Sequence, residues 1–502
     1  MTSRPPPSRI PVIIGIGEIK DRPSDPTRGL EPLALMAEAL RRAEADAGAS
    51  LLPRLDALDV VHEVSWPYVN LPDMLCEAFG AAPRHRHYGP VGGETPLRFL
   101  HEAAGRISRG ESAIAAVCGG EAQYTVAQAE KAGIALPWKP RDPGFRPRTR
   151  EYLAEVARRH GIDQPIRVYP LYENATQAAW GQTPEQGQAE SARLWARFSE
   201  VASRNPESWL ERRFGAEEIA TPSAGNRMIA WPYPKLMTAN PMVNKGCAVL
   251  VASLEVARAA GIPEHRMVHF RGGAAANEPK DYMQRPHFNS APAMDVVLET
   301  ALEMVEGDAS RFACREFYSC FPCVPKMARR KLGLSEDVAP TVAGGLTFHG
   351  APLNNYMLHA ACAMVRALRD APGALGLLYG QGGFVTQHRT LVLGSGCGTG
   401  EALVTEDRQA EADRRRGPAP IIAEGRSGAA TVETHTVAFR TDGTPDYGAV
   451  VLRLPAGART MARVPREDVA TLDALMSPRH SAIGITGQLT EGRGGLQEWR
   501  VG

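Results

Sequence analysis

The sequence predicts a duplicated α/β core, interrupted by an inserted domain and followed by a small β domain. Three observations predict it: a turn-helix-strand unit that occurs twice, a long strand-poor stretch, and a change of pattern after residue 400. The first unit runs from Gly89 to Ala122, GPVGGETPLRFLHEAAGRISRGESAIAAVCGGEA. Its Gly92-Gly93 turn leads into a helix from about Thr95 to Arg109, with Leu97, Leu100, Ala104 and Ile107 at helical spacing. Gly110 stands at the usual stop position. The apolar run Ala113 to Val117 suits a strand covered on both faces, and it ends in Cys118-Gly119-Gly120. The second unit, GGLTFHGAPLNNYMLHAACAMVRALRDAPGALGLLYGQGG from Gly344, repeats the order. It has Gly-Gly, Pro-Leu, a helix containing Ala-Ala with a basic end, a strand Ala374 to Tyr379, and Gly382-Gly383. A helix entered from a glycine turn aims free N–H groups at whatever lies there. Two such units predict two helix N-termini converging on one pocket.

The elements follow in order. Ile10 to Gly17 is an apolar strand, Pro32 to Ala45 an amphipathic helix, Leu58 to Val61 a strand and Pro72 to Phe79 a helix. This alternation predicts a mostly parallel sheet. Residues from about Ala122 to Lys235 contain helices, roughly Thr149–His160 and Glu185–Ser203, but no clear strand. That length makes them an inserted domain rather than a loop, and such insertions commonly carry binding sites. Lys131, Lys139, Arg141, Arg146, Arg148 and Arg150 crowd one part of it. They suit phosphates or a solvated basic surface. The core resumes at Met237, with strands Ala248–Ser253, His269–Gly273 and Arg315–Cys320, a helix Pro292–Met304, and a closing strand Thr390–Gly394. Gly400 to Ala419 reads as a charged linker. Thr431–Arg440, Gly448–Leu454, Thr460–Val464, Ala482–Leu489 and Gln497–Val501 read as five strands of a small, OB-like barrel. The expected domains are 1–260 with 122–235 inserted, 261–399, a linker at 400–419, and 420–502.

Composition narrows the function classes. A chain of 502 residues suits two or three domains. Hydrophobic content of 43% and charged content of 23% belong to a globular protein. A net charge of +1 exerts no general pull on nucleic acid or anionic membranes. No apolar run approaches the roughly 20 residues of a membrane span, and no signal peptide is read. Eight cysteines, many in apolar runs, point to a reducing cytoplasm. Cys320 and Cys323 are spaced as Cys-x-x-Cys, but no partner pair follows, so no metal site is expected.

Several of these segments resemble the thiolase superfamily. They are GGETPLRFLHEAAGRISRGESAIAAVCGGEA, RLWARFSEVASRNPESW, MTANPMVNKGCAVLVAS and GGLTFHGAP, and the resemblance covers about Ile10 to Gly396. REFYSCFP, YPLYENA and the extra C-terminal domain are similar to a subgroup, the sterol-carrier-like thiolases and thiolase-like proteins of type 1. The resemblance implies a five-layer α-β-α-β-α core with an inserted loop domain. It implies acetyl-CoA acetyltransferase-type chemistry in lipid metabolism, with coenzyme A or acyl-CoA as substrate or ligand and no permanently bound cofactor. It also implies a possible homodimer through the core, a surface the extra domain would be placed to cover.

The departures from the family fall on the reacting groups. The acyl-accepting Cys of a Cys-x-Ser-Gly motif falls at Gly93, in Gly93-Glu94-Thr95-Pro96. The Asn-Glu-Ala-Phe motif becomes Ser319-Cys320-Phe321-Pro322, Gly-His-Pro becomes Gly350-Ala351-Pro352, and Cys-x-Gly becomes Gly380-Gln381-Gly382. Cys320 and His349 remain as a candidate thiolate pair; the plain alternatives are a small buried residue and a turn histidine. Glu94 and Tyr379 are weaker proton-transfer candidates, or else a solvated helix-start carboxylate and a packing aromatic. The turns at Gly93, Gly350, Gly382 and Gly383 offer N–H groups to a thioester oxygen. Asn354 and Asn355 would cap the second helix or bind a carbonyl. The expected function is therefore an acyl-CoA-binding protein of acyltransferase type, acting by a non-standard route. The alternatives are a retro-aldol lyase of β-hydroxyacyl-CoA and a non-catalytic CoA or lipid-binding protein.

Overall fold

The computed structural model describes residues 5–146, 152–338, 340–396 and 403–502. The first half contains β1 (Pro11–Lys20), α1 (Pro32–Ala47), β2 (Ala57–Val60), α2 (Leu71–Phe79), β3 (His85–Tyr88), α3 (Thr95–Arg109) and β4 (Ile114–Ala122). The insertion follows with α4 (Gln123–Ala132), α5 (Glu155–Arg159), α6 (Pro165–Ala179), α7 (Pro184–Arg204), α8 (Ala216–Ala220), β5 (Met228–Ala230) and β6 (Tyr233–Pro234). The first half then closes with β7 (Asn244–Ser253) and α9 (Leu254–Ala259). The second half is β8 (Val268–Asn277), α10 (Pro292–Glu303), β9 (Phe312–Phe317), α11 (Cys323–Lys331), α12 (Tyr356–Arg369), β10 (Leu375–Gly382) and β11 (Gln387–Ser395). After it come β12 (Val404–Asp407), α13 (Gln409–Arg416), β13 (Gly428–Phe439), β14 (Pro445–Arg453), β15 (Arg459–Pro465), α14 (Val469–Leu475), β16 (Thr486–Glu491) and β17 (Gln497–Val501).

The duplication is written in the strand order, β3-β2-β4-β7-β1 followed by β8-β11-β10-β9. Read outward from the centre, β1, β7, β4 and β2 match β8, β11, β10 and β9. The halves join where β1 pairs with β8 through Val12↔His269 and Ile13↔Val268. Helix α1 packs outside the first half, α10 outside the second, and α3 and α12 lie between the two halves of the sheet in contact with strands of both. These are the five expected layers. A helix packed against neighbouring elements turns its apolar face inward; Leu97, Phe99, Leu100, Ala103, Ala104 and Ile107 of α3 are all buried, while Arg98 and Glu102 stay partly exposed. Burial of each large side chain contributes about 1.5–3 kcal/mol.

The sheet is mixed rather than mostly parallel. β2 runs parallel to β3 and β4, and β9 to β10. β4–β7, β7–β1, β8–β11 and β10–β11 are antiparallel. Only residues 383–386 connect β10 to β11, far too few for the crossover that a parallel neighbour requires.

The insertion also contains strands. β5 pairs with β13 through Ala230↔Ala438, so β5 and β6 extend the C-terminal sheet. β13 to β17 close on themselves in the order β14-β15-β17-β16-β13, with β13 pairing back to β14. That is a five-strand barrel around Val450, Leu452, Ala462 and Trp499, with Leu472 and Leu475 of α14 packed into the same cluster. The charged stretch read as a linker holds two elements. β12 pairs with β8, and α13 is tied to the second half by Arg415–Glu299 and Arg416–Glu278. Among the described residues no helix is long and apolar enough to cross a membrane, and the seven described cysteines are free thiols.

Candidate functional site

The start of α3 is packed shut. A Cβ at Gly93 would lie 2.5 Å from the Tyr318 hydroxyl and 2.5 Å from the Gln381 carbonyl oxygen, closer than a real Cβ comes to any heavy atom. Tyr318, just past the end of β9, thus fills the volume in which a side chain at position 93 would stand. The Glu94 carboxyl turns toward Gly382 and fills the space before that glycine too. Glu94 is not the solvated helix-start carboxylate considered from sequence: it is only 7% exposed, and its Oε2 has no hydrogen-bond partner. Burial raises its pKa, opposed by the charge of Arg389.

Cys320 lies in the same wall. Its Sγ accepts a hydrogen bond from Gln381 Nε2 at 3.4 Å, and Gln381 also donates to the Tyr169 hydroxyl at 2.6 Å. Burial pushes the thiol up to about 12, which keeps it protonated at neutral pH. An activated cysteine moves the other way. Tyr379 is fully buried, with its hydroxyl 2.8 Å from His388 Nδ1.

His349 belongs to a different network. It ends a π-helical turn, Gly345–His349. Its Nε2 is 2.5 Å from Lys245 Nζ and its Nδ1 is 3.4 Å from Asn205 Nδ2. Lys245 also donates to the Glu207 carbonyl at 2.7 Å. Beside this pair, His359 Nδ1 lies 2.5 Å from Glu18 Oε1, and the other Glu18 oxygen accepts from Arg366. The two histidine rings are 5.5 Å apart. Burial and the neighbouring Lys245 charge push His349 well down, burial lowers His359 to about 4, and burial lowers Lys245 to about 8. Burial alone would raise Glu18; its bond to His359 and the Arg366 charge override that and hold it well below the ordinary range. Glu18, His349 and His359 bring three metal-ligating atoms within 4.8 Å of one another. The Lys245 ammonium already sits against the His349 nitrogen, so the arrangement is a buried ion-pair network that repels a further cation. Cys320 and His349, expected as a pair, thus hold separate partners, Gln381 and Lys245.

The start of α12 keeps polar atoms without partners. Asn355 stands at its N-cap but makes no capping bond, which sets aside the capping alternative. Its amide lies against Gly119 of β4, and both amide atoms are buried with no hydrogen-bond partner. Asn354 donates to the His62 carbonyl at 2.9 Å. Gly350 has φ +100° and its Cβ direction is filled by Val243 at 2.8 Å. Gly383 accepts from the Tyr169 hydroxyl at 3.0 Å.

An open groove of 420 Å³ adjoins this half. Its walls include Leu210, Arg212 and Phe214 from the α7–α8 connection, Lys235, and the Asn240–Met242 loop; Thr347 of the π-helical turn reaches its floor. The Arg212 guanidinium lies 3.6 Å from the Phe214 ring centroid and pairs with Glu218. Thr347 is locked by Trp195 Nε1 at 3.0 Å and the Thr238 carbonyl at 2.8 Å. The groove uses none of the basic residues singled out from sequence. Arg141 lies over the Trp66 ring at 4.1 Å and Arg146 donates to the Pro143 and Phe145 carbonyls; Arg148 and Arg150 lie outside the described residues.

Comparison with known proteins places this geometry. Residues 409–492 match the family described as the thiolase-like protein type 1 additional C-terminal domain. A monomeric SCP2-thiolase like protein type 1 from Mycobacterium smegmatis is similar over 99% of this chain and 100% of that one, with 29% identity and a TM-score of 0.82. The chain thus has a thiolase-like fold, and its C-terminal residues match the type 1 additional domain. The Ltp2-ChsH2(DUF35) aldolase shares the fold at 19% identity, over 77% of this chain and 98% of that one, TM-score 0.59. Human mitochondrial 3-ketoacyl-CoA thiolase in complex with CoA shares it at 12% identity, over 79% and 100%, TM-score 0.53. No curated protein matches the sequence.

Tyr318, Lys245, Glu18 and His359 were not singled out from the thiolase-like sequence. A signal for one of them was present: His359, Cys362 and Arg366 fall at i, i+3 and i+7, on one face of the largely apolar α12.

Proposed function

We propose that this thiolase-like protein binds coenzyme A or its thioesters in the groove beside Thr347 and forms no acyl-enzyme. The observation that carries the reading is the Tyr318 ring against Gly93, which leaves no room for a nucleophile there. The nearby thiol, Cys320, is held in its unreactive protonated form. The groove suits the ligand. Arg212, stacked on Phe214 and paired with Glu218, and Lys235 meet phosphates, and Leu210 and Met242 give apolar contact to the pantetheine arm. A thiolase of the same fold is described in complex with CoA, and the M. smegmatis protein is described as monomeric, which supports a monomer here rather than the homodimer implied by the wider family.

Calorimetric titration with CoA and acetyl-CoA tests the reading, with Arg212→Ala weakening both about tenfold, roughly 1.4 kcal/mol. Parallel incubations with acetoacetyl-CoA plus CoA, and with β-hydroxyacyl-CoA, are expected to leave the substrates intact. Cleavage of the β-hydroxyacyl-CoA would replace the binding reading with a lyase; absence of CoA binding would remove it.

A further inference from the structure

A second cavity, of 720 Å³, shares no lining residue with the CoA groove. It lies between the edge strand β3, the outward face of α3, and β8, β11 and β12. Most charges around it are already paired. Arg106 holds Asp59, Arg109 holds Glu111 at 2.7 Å, Arg98 holds Glu102 at 2.7 Å and Arg408 holds Glu406 at 2.7 Å. Arg389, on the cavity wall, is the exception. Among the described residues it donates no hydrogen bond and has no carboxylate within 4.0 Å, and its Nε is buried without a partner. Beside it, His101 of α3 is 3% exposed. The His101 Nδ1 has no partner, and its Nε2 is 2.9 Å from Thr405 Oγ1.

The Arg389 guanidinium is half-buried, with its Nε sealed from water and no carboxylate beside it, and a charge withdrawn from water in this way is ordinarily paired. Arginine stays protonated, so the fold does not escape the cost by neutralising it. A planar fork of donors with no acceptor matches a carboxylate or phosphate. We propose that this cavity binds a small molecule bearing one carboxylate or phosphate group, with Arg389 as its counter-ion and His101 as a hydrogen-bonding neighbour. Glu94, Glu102 and Asp407 add negative field at longer range, which favours a ligand with a single anionic group over a polyanion such as CoA.

The test uses the full chain with two probes, inorganic phosphate and benzoate, each compared with chloride at equal ionic strength. Phosphate binding is read by ³¹P line broadening and benzoate binding by saturation-transfer NMR. At least one probe is expected to bind saturably and to raise the melting temperature; which one does so tells phosphate from carboxylate recognition. Arg389→Gln is expected to weaken that binding at least tenfold, and Arg389→Lys to weaken it less, because lysine keeps the charge and loses the fork. Arg212→Ala in the CoA groove is expected to leave it unchanged. If R389Q does not fold, the R389K titration and the wild-type melting shift decide. Failure of both probes to bind saturably, or equal binding by wild type and R389Q, overturns the proposal.

Discussion

At the start of α3, Gly93 is walled in by Tyr318 and Gln381, and Glu94 closes the space before Gly382. At the start of α12, which descends from the same repeated unit, Asn355 keeps two buried amide atoms unpaired, and the preceding turn delivers His349 into an ionic network with Lys245, next to Glu18, His359 and Arg366. The two helices hold equivalent places in the repeat, but a simple turn leads into α3 and π-helical and 3-10 turns lead into α12, and the contents of the two entrances have diverged. One has been filled by side-chain volume and the other by charge. Duplication fixes where a site lies, whereas the side chains that reach it decide whether anything reacts there.

The largest expected effect breaks the charged entrance. Glu18→Gln leaves His359 and Arg366 without their shared carboxylate and removes a nearby negative charge from Lys245, and is expected to cost about 3–5 kcal/mol in denaturant unfolding at pH 7. The sign with pH follows from the depressed Glu18 pKa. Its contribution is fully present above the unfolded value of about 4.3 and is lost as pH falls toward the folded value. The gap between wild type and E18Q should therefore narrow in acid; a gap independent of pH would place its source elsewhere.

The filled entrance is tested by volume. Gly93→Ala is expected to cost about 1–3 kcal/mol, and less in a Tyr318→Ala background, the remaining strain coming from the Gln381 carbonyl. Strict additivity of the two substitutions would mean that Tyr318 does not occupy this space. A smaller effect is the alkaline slope from Lys245, whose folded pKa of about 8 lies below its unfolded value of about 10.4. The unfolded chain then binds more protons between those values, so wild type gains stability with rising pH by up to about 1.4 kcal/mol per pH unit. Lys245→Met should lack that gain, measured as the wild-type-minus-variant difference from pH 8 to 10. The smallest expected effect is none: peptide mapping after iodoacetamide at pH 8 should find Cys320 unlabelled in the native protein and labelled after unfolding.

The duplicated unit was legible in the sequence because its signals are local: a glycine turn, helical spacing and an apolar strand. The barrel strands were legible for the same reason. Strand direction was not, since it depends on where the chain returns after β4 and β10. Helix α6 escaped because Pro170 and polar residues break its pattern. α13 escaped because its arginines read as solvated, although Arg415 and Arg416 pair with Glu299 and Glu278. The position of Gly93 was readable in the chain, but that Tyr318 fills its place was not. Nor could the sequence assign Cys320 to Gln381 and His349 to Lys245, because those partners come from distant segments.

Intact-mass spectrometry of the native protein after incubation with acetyl-CoA and acetoacetyl-CoA, under conditions where calorimetry shows the CoA groove saturated, tests the central claim most directly. The filled entrance predicts an unmodified chain with CoA bound reversibly. A stable acyl adduct on Cys320, formed with turnover, would contradict it and would mean that the nucleophile has moved rather than been lost.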